Sequence, residues 1–338
     1  MAMIRCTELV VSAVFVLAFV LNGCVRFGFG TGEQGASTPP SIEAGPDSRG
    51  DMGARADAPN AQDSSPAVDS LPVADSSLAA DATSADGSVT NPCNLQPTDI
   101  VASGDIVLWL DAADPSTISL GAGAVRQWRS RVGTLAVVQA KNSEQPALTA
   151  AGLRGQPVVT FDGVDDWLGL ADLDLQVPGY SVVALAQWDS FDGGGVLVSG
   201  AVAPGARHGT LLSAGSNSAV RFLHRVPYTD VPGGDDNLAG PDIPLSAPSV
   251  LLAVRNGSQD EMRVSVNGQE MTRSPLVDGD LNQVFDVSFG RLGYTSNSGR
   301  HLAGFIAELL ILRTALAQAH QAELSAYLRG KWLGQPCP

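Results

Sequence analysis

The sequence predicts an all-β sandwich with one helix near its C-terminus, preceded by an exported and disordered segment. Three observations support this prediction. After Cys93, apolar runs of about four to eight residues are separated by Gly, Pro, Asn and Asp, which is typical of short strands and turns. Residues 31–92 contain no aromatic residue, so core-forming material is concentrated after them. Helical spacing is clearest over Ala315–Trp332, which follows Thr314 as a possible N-cap.

The strand pattern is clearest in the last third of the chain. Apolar and polar residues alternate over Met262–Val266, and Asn267-Gly268 then predicts a tight hairpin turn. The run Gly304–Leu312 is apolar on both faces except for Glu308, which predicts a central strand. About a dozen runs of this kind predict a sandwich with a single core.

The N-terminus has the features of an export signal. Arg5 precedes the apolar run Leu9–Leu21, which has signal-peptide length and is too short to span a bilayer comfortably. Leu21-Asn22-Gly23-Cys24 resembles the lipobox of bacterial lipoproteins. That resemblance implies that residues 1–23 are removed and that Cys24 is lipidated, which anchors the chain to a membrane. Val25 follows the cysteine. By the same resemblance we expect the protein to be located in the cell envelope, at the outer membrane of a Gram-negative bacterium.

The composition of residues 24–92 predicts a disordered acidic linker. A segment rich in Ala, Ser, Asp, Pro and Gly cannot bury enough apolar surface to fold. Residues 93–338 are the predicted folded domain. Cys93 and Cys337 lie at its two ends, and in an exported protein we expect them to form a disulfide bond. The alternative is two free or separately used thiols.

The charge of the chain argues against nucleic acid as a partner. The formal net charge is −15, and acidic residues outnumber basic residues within the predicted domain as well. A negative surface repels a phosphate backbone. An acidic surface is compatible with solubility and with divalent cations.

Several motifs, taken in order, resemble the laminin-G-like jelly-roll domains of the concanavalin A-like lectin/glucanase superfamily. These motifs are Leu108–Asp114, Val125–Trp128, Gln156–Leu168, Gly304–Ile311 and Tyr327–Trp332. The resemblance covers about residues 100–334. It implies a two-sheet antiparallel jelly roll whose last strand is followed by a packed helix. It does not fix a function, because one fold hosts many activities.

The sequence lacks the acidic strand with which the glucanases of that superfamily cleave their substrates. Glu308 is alone in its strand, and Asp165 and Asp166 are adjacent, so they would point to opposite faces if extended. We therefore expect a surface lipoprotein that binds a glycan or a protein partner and is not an enzyme. The alternatives are a divergent carbohydrate-active enzyme, such as a glycoside hydrolase or lyase, and a passive structural module of the envelope.

Calcium is the cofactor that the sequence favours most. Asp162, Asp165 and Asp166 surround a tight turn and offer the hard oxygen ligands that Ca²⁺ prefers. The alternative is a turn whose carboxylates accept backbone N–H groups. The segment Pro227–Pro248, which is the longest predicted loop, is a second candidate for calcium.

Sugar binding requires exposed aromatic rings beside polar groups. Trp188 lies at a predicted strand end, and Tyr228 lies in the long loop with Asp235 and Asp236. We therefore expect these four residues to contact a ligand, with ordinary packing as the alternative. Trp109 and Trp332 are expected in the core.

Overall fold

The structure is a computed structural model, and it describes residues 95–192, 194–201, 208–225, 236–279, 284–292 and 300–336. Cys24, Cys93, Cys337, Tyr228 and Asp235 lie outside these residues. The predicted signal peptide, lipid anchor, linker and disulfide also lie outside them and stay predictions.

The described part of the chain is an all-β fold with seventeen strands, and α-helix is confined to two segments. The helices are α1 (Pro97–Ile100) and α2 (Gln318–Leu328), and a π-helical turn, Arg329–Leu333, continues α2. The strands are β1 (Ile106–Asp111), β2 (Ile118–Gly121), β3 (Ala124–Arg129), β4 (Ala136–Val138), β5 (Ala147–Leu153), β6 (Gln156–Asp162), β7 (Leu168–Asp174), β8 (Gly179–Ser190), β9 (Val196–Ala201), β10 (His208–Ala214), β11 (Ala219–His224), β12 (Asp236–Asp242), β13 (Ser249–Asn256), β14 (Glu261–Val266), β15 (Gln269–Arg273), β16 (Val284–Phe289) and β17 (Ala303–Leu312).

The ladders between these strands are antiparallel, so the predicted all-β antiparallel class is confirmed. The hairpin between β14 and β15 turns at Asn267-Gly268, where φ is 53° and 87°. Two successive positive φ angles are those of the turn predicted for this dipeptide.

The predicted division into two sheets is not evident in the pairing, because ladders link all seventeen strands into one network. Strand β17 shows how this continuity arises. Its first half pairs with β6 and its second half pairs with β1, while β8 runs along its other edge. One long strand thereby connects strands that a two-sheet sandwich would divide between its two sheets.

Strands β8 and β17 form the centre of the core. Nearly every residue of both strands is buried, including the polar Ser181 and Glu308. Burial on both faces requires packing on both sides of a strand, which agrees with the prediction that Gly304–Leu312 is central. The largest rings in the core are Trp128, Trp188 and Trp332.

The predicted C-terminal helix is present but shorter than expected. Thr314 is not its N-cap, since the helix begins at Gln318 with Ala317 at the cap position. The Ser181 hydroxyl donates to the Thr314 carbonyl and accepts the N–H of Leu316, so β8 holds this segment in a non-helical path. No helix among the described residues is long and apolar enough to cross a bilayer.

The long loop expected at Pro227–Pro248 is partly a strand. Residues 236–242 form β12, which pairs with β11. Sequence pattern missed this strand because Gly240 and Pro241 interrupt it, and both residue types usually mark loops.

Candidate functional site in the turn between β6 and β7

The turn that joins β6 to β7 is built around one carboxylate. Asp162 ends β6, and its Oδ1 accepts the backbone N–H groups of Val164 (2.8 Å), Asp165 (3.2 Å) and Asp166 (3.4 Å). Aspartate favours such turns because its short side chain can bond to the backbone that follows it. Asp162 therefore has the role given by the alternative interpretation of the sequence, in which the carboxylates of the turn accept its backbone N–H groups.

Asp166 closes the same turn from the other side. Its Oδ2 accepts the backbone N–H of Asp162 at 3.0 Å, and the residue is 8% exposed. Burial, followed by the nearby charges of Asp162 and Asp165, raises the pKa of Asp166 from its ordinary value to about 6. Asp166 therefore holds a proton in a pH range where an ordinary aspartate is ionised.

The three aspartates come together as the sequence predicts for a metal site. Asp162, Asp165 and Asp166 each offer one carboxylate oxygen, and these oxygens lie within 4.8 Å of one another. Such a cluster can accept a hard cation. It can also share protons, because like charges this close do not all ionise at their ordinary pKa values.

A half-buried tryptophan follows the turn directly. The indole Nε1–H of Trp167 donates to Glu144 Oε2 at 2.9 Å, and the Arg291 guanidinium lies 3.5 Å from the centre of the ring. Glu144 also forms an ion pair with Lys141 at 2.6 Å. The hydrogen bond from Lys141, with that from Trp167, lowers the pKa of Glu144 below its ordinary value. Carboxylate, indole and guanidinium groups therefore lie together beside the turn.

A surface groove extends from this cluster over strands β2 to β4. Its volume is about 460 Å³, and its lining residues are Ser119, Leu120, Arg126, Gln127, Val138, Gln139 and Ala140. Gln139 joins the groove to the cluster, because its Nε2 donates to Glu144 Oε2 at 3.3 Å. Leu120 and Val138 are 52% and 48% exposed. Aliphatic surface beside amide and guanidinium donors is suited to a polar ligand with apolar faces, such as a sugar ring.

Trp188 and Asp236, the two residues predicted to bind a ligand that the structure describes, do not line this groove. Trp188 is fully buried, and its Nε1–H donates to the Gly195 carbonyl at 3.1 Å, so the ring packs in the core and is closed to a ligand. Asp236 is also fully buried, and it accepts the N–H groups of Val277 and Asp278. Asp236 therefore fixes the start of β12 and does not face a ligand.

A buried polar cluster accompanies Asp236. The Tyr180 hydroxyl lies 2.9 Å from Thr210 Oγ1 and 3.3 Å from His224 Nδ1. Burial raises the pKa of Tyr180 well above its ordinary value. Arg255 donates to the carbonyls of Asp278 and Gly279. These bonds satisfy groups that would otherwise destabilise the core, which is a structural role.

Sequence reasoning missed the contributions of Glu144, Arg291 and Gln139 to this site. These residues come from different parts of the chain, and no local spacing connects them to Trp167. The adjacency of Asp166 and Trp167 was the one signal available. Asp165 and Asp166 would point to opposite faces only in an extended segment, and here the segment is a turn in which their carboxylate oxygens lie within 4.8 Å of each other.

Comparison with known proteins gives structural matches and no sequence family. No protein-family model matches the chain, and no curated protein sequence matches it. The solved structures to which it is similar include Trypanosoma rangeli sialidase in complex with sialic acid, with a TM-score of 0.48, 13% identity, and coverage of 69% of this chain and 34% of that chain. A mutant of the NanB sialidase from Streptococcus pneumoniae has a TM-score of 0.35 and 13% identity, with 44% of this chain and 24% of that chain covered.

These matches correct one expectation. We expected from the sequence that the protein is not an enzyme. This expectation was wrong, because the solved structures that the chain resembles are sialidases. The chain spans about a third of the length of the Trypanosoma rangeli protein. The activity therefore belongs to those proteins, and the similarity does not by itself assign it to this chain.

Proposed function

We propose that this protein is an envelope lipoprotein whose folded domain acts on a glycan at the turn between β6 and β7. The observation that carries the proposal is the convergence of Asp162, Asp165 and Asp166, where burial raises the pKa of Asp166 to about 6. The neighbouring groove, which presents aliphatic, amide and guanidinium groups, supports a glycan as the ligand class.

The carboxylates have the division of roles that glycoside cleavage requires. Asp166 would donate a proton to the leaving oxygen, since its raised pKa keeps it protonated in mild acid. Asp165 is partly exposed and would act as the ionised partner. Oxygens within 4.8 Å of one another are close enough for direct attack by a carboxylate, which retains the configuration of the sugar. Asp162 would hold the turn in place.

The same turn supports a second candidate function, which is glycan binding through Ca²⁺. Three converging carboxylates provide about half of the oxygen ligands that calcium takes. Bound Ca²⁺ would hold Asp166 in its ionised form, so calcium binding and proton donation by Asp166 exclude each other. Calcium at this turn is therefore an alternative to hydrolysis and can be separated from it by experiment.

The setting of the domain completes the proposal. The lipobox-like Leu21–Cys24 supports an outer-membrane anchor, and the acidic linker would hold residues 93–338 away from the membrane surface. We also propose that the strands are arranged as the two layers of a laminin-G-like jelly roll. In such a sandwich the outer face of a buried strand needs a cover, and the segment that includes α2 supplies one at β17, where Tyr327 and Trp332 donate to Glu308.

The experiment uses the full-length protein on fluorogenic glycosides and on a glycan array, each with added CaCl₂ and with EDTA. Hydrolysis that survives EDTA and is lost in Asp165→Asn and Asp166→Asn would support the catalytic proposal. Binding that is lost in EDTA and in Asp165→Asn would support calcium instead. Glu270→Gln is the matched control, because Glu270 is an exposed acid in β15. Neither hydrolysis nor binding in any condition would contradict both.

The anchor has a separate test. Cys24→Ser should move the protein from the membrane fraction to the soluble fraction, because it removes the lipidated thiol. Unchanged fractionation of this variant would contradict the lipoprotein proposal and leave the glycan proposal untouched.

A further inference from the structure

Two carboxylates and a lysine meet in the interior, outside the turn described above. Asp111 at the end of β1 lies directly opposite Glu308 of β17 in the antiparallel register. Lys331 Nζ lies 2.7 Å from Asp111 Oδ2 and 2.7 Å from Glu308 Oε2. The side chains of Asp111 and Glu308 are 2% and 0% exposed, and that of Lys331 is 19% exposed.

Aromatic side chains surround this trio. Glu308 Oε1 accepts the Trp109 indole N–H at 2.7 Å and the Tyr327 hydroxyl at 2.9 Å, and Oε2 accepts the Trp332 indole N–H at 2.6 Å. Lys331 Nζ lies 5.0 Å from the centre of the Trp332 ring. These rings limit the access of water to the lysine and hold both oxygens of Glu308 in fixed positions.

Two irregularities of the backbone create the arrangement. The pairing of β17 with β8 shifts register between Ile306 and Glu308, and a bulge of this kind re-aims the side chains beside it. The π-helical turn Arg329–Leu333 brings the neighbouring residues Lys331 and Trp332 to the same carboxylate. Irregular turns of this type are frequent at functional sites.

Low polarity changes what a lysine and a carboxylate can do. A buried ion pair loses hydration, so transfer of a proton from the ammonium to the carboxylate is less costly there than in water. Burial raises the pKa of Glu308, although the charge of Lys331 opposes that shift. An uncharged amine beside a protonated carboxyl group is a nucleophile beside an electrophile.

We propose that Lys331 Nζ and Asp111 Cγ are joined by an intramolecular amide bond, formed with Glu308 as the proton carrier. Lys331 first gives a proton to Asp111, which leaves a neutral amine and a carboxylic acid. The nitrogen lone pair attacks Cγ, and Glu308 takes a proton from the nitrogen. Glu308 returns that proton to the departing hydroxyl, the C–O bond breaks, and one water molecule leaves. No oxidant or co-reactant is needed.

The surroundings of Asp111 suit this reaction. Its Oδ1 accepts the backbone N–H of Ala113 at 3.0 Å, so a donor is in place for the negative charge that develops on that oxygen. Arg131 Nη1 lies 2.7 Å from Asp111 Oδ2, and its positive charge would stabilise negative charge on this oxygen as the C–O bond breaks. The amine is within contact distance of the carboxyl group before reaction, which removes most of the entropic barrier to bond formation.

The bond would tie the first strand of the domain to the segment that follows α2. It would close a covalent loop over most of the folded part of the chain, and long loops restrict the unfolded state most. This consequence does not depend on the proposed action on glycans. It is independent of the disulfide predicted at Cys93 and Cys337 as well.

The test is the intact mass of the purified full-length protein, with peptide mapping after proteolysis. Wild-type protein should be lighter than its unmodified mature chain by the mass of one water molecule. A branched peptide should join the segments that carry Asp111 and Lys331, which distinguishes the bond from cyclisation of an aspartate elsewhere. Lys331→Arg keeps the positive charge but cannot form the amide, so it should retain the full mass and give no branched peptide.

Two further variants sharpen the result. Asp111→Asn would form the same bond by releasing ammonia, so its mature mass should equal that of the wild type. Glu308→Gln should retain the full mass, because the proton carrier is removed. A wild-type mass without loss of water, and a peptide map without the branched peptide, would overturn the proposal and leave an ion pair only.

Discussion

The domain contains two groups of close carboxylates, and they differ in the charges that accompany them. At the turn between β6 and β7, Asp162, Asp165 and Asp166 converge, and within the described part of the chain Asp162 and Asp166 accept hydrogen bonds from backbone N–H groups. In the interior, Asp111 and Glu308 are matched by Lys331 and Arg131. The first group lies near solvent, and the second is almost fully enclosed.

The difference shows how neighbouring charge decides what an acid can do. Negative charge accumulates at the turn, so one carboxyl group there keeps its proton or the group accepts a cation. In the interior the charges are balanced, so the cluster can be buried and can hold α2 against the sheet. The predictions below alter one group at a time, beginning with the largest expected effect.

The largest effect is expected from removal of Glu308. Glu308→Ala leaves the indole N–H groups of Trp109 and Trp332 and the hydroxyl of Tyr327 without their acceptor. We expect a loss of about 3–5 kcal/mol in the free energy of unfolding, measured by urea denaturation. Glu323→Ala, on the exposed side of α2, should change stability by less than about 0.5 kcal/mol. Equal effects of the two variants would contradict the role given to the interior cluster.

A smaller loss is expected from a methyl group in the turn. Gly163 has φ of +79°, and an added Cβ would lie 2.7 Å from the Cβ of Ala303. Gly163→Ala should therefore cost about 2 kcal/mol in unfolding free energy and should weaken any response to calcium. Gly155→Ala is the control, because Gly155 has φ of +81° but open space around it. If both variants cost the same, crowding against Ala303 is not the cause.

Under the calcium alternative, Ca²⁺ should act on the turn and leave the interior cluster unaffected. If the dissociation constant is about 1 mM, 10 mM CaCl₂ should raise the unfolding free energy by about 1.4 kcal/mol near pH 7.5. The effect should shrink at pH 5, because protonated Asp166 is a poor ligand. Asp165→Asn should abolish it, whereas Lys331→Arg should not. A thermal shift that is identical in MgCl₂ would indicate a general ionic effect instead.

The smallest effect concerns the proton on Asp166. Its pKa of about 6 in the folded protein exceeds its ordinary value, so the folded state binds more protons than the unfolded state between about pH 4 and 6. The stability that Asp166 contributes is therefore full below about pH 4 and is lost as the pH rises through 6. The full rise in pKa corresponds to about 3 kcal/mol, and screening by water at this turn near the surface reduces it to about 1 kcal/mol. Asp166→Asn should flatten the decline by that amount, as followed by urea denaturation across the same pH range. Asp174→Asn should keep the wild-type decline, and a wild-type profile in Asp166→Asn would contradict the raised pKa.

Local pattern predicted much of the fold because each strand is specified by neighbouring residues. The hairpin at Asn267-Gly268, the buried strand Gly304–Leu312 and a helix containing Leu324 and Tyr327 follow from local spacing. The start of the helix was misplaced because Ser181, a residue far away in sequence, holds the segment around Thr314. The strand β12 was missed because its own residues resemble a loop.

The candidate site was predictable only in part, for the same reason. Asp162, Asp165 and Asp166 are close in sequence, and their convergence was expected from their spacing. Arg291 stacks on Trp167 across more than a hundred residues of chain, and no local pattern connects the two. The prediction that Trp188 contacts a ligand was wrong, because the sequence of a strand end does not show whether a tryptophan ring faces solvent or the core. In the fold this ring is buried.

The sequence alone determined the all-β class, the hairpin, the central strand and the helix near the C-terminus, because these depend on the spacing of apolar residues over a few positions. It also established the acidic character that disfavours nucleic acid. The tertiary structure decided which charges meet. Glu308 reads as a lone acid in an apolar strand, and only the antiparallel register with β1 and the π-helical turn after α2 place it between Asp111 and Lys331. Electrostatic energy depends on distance in space, and separation along the chain does not report it.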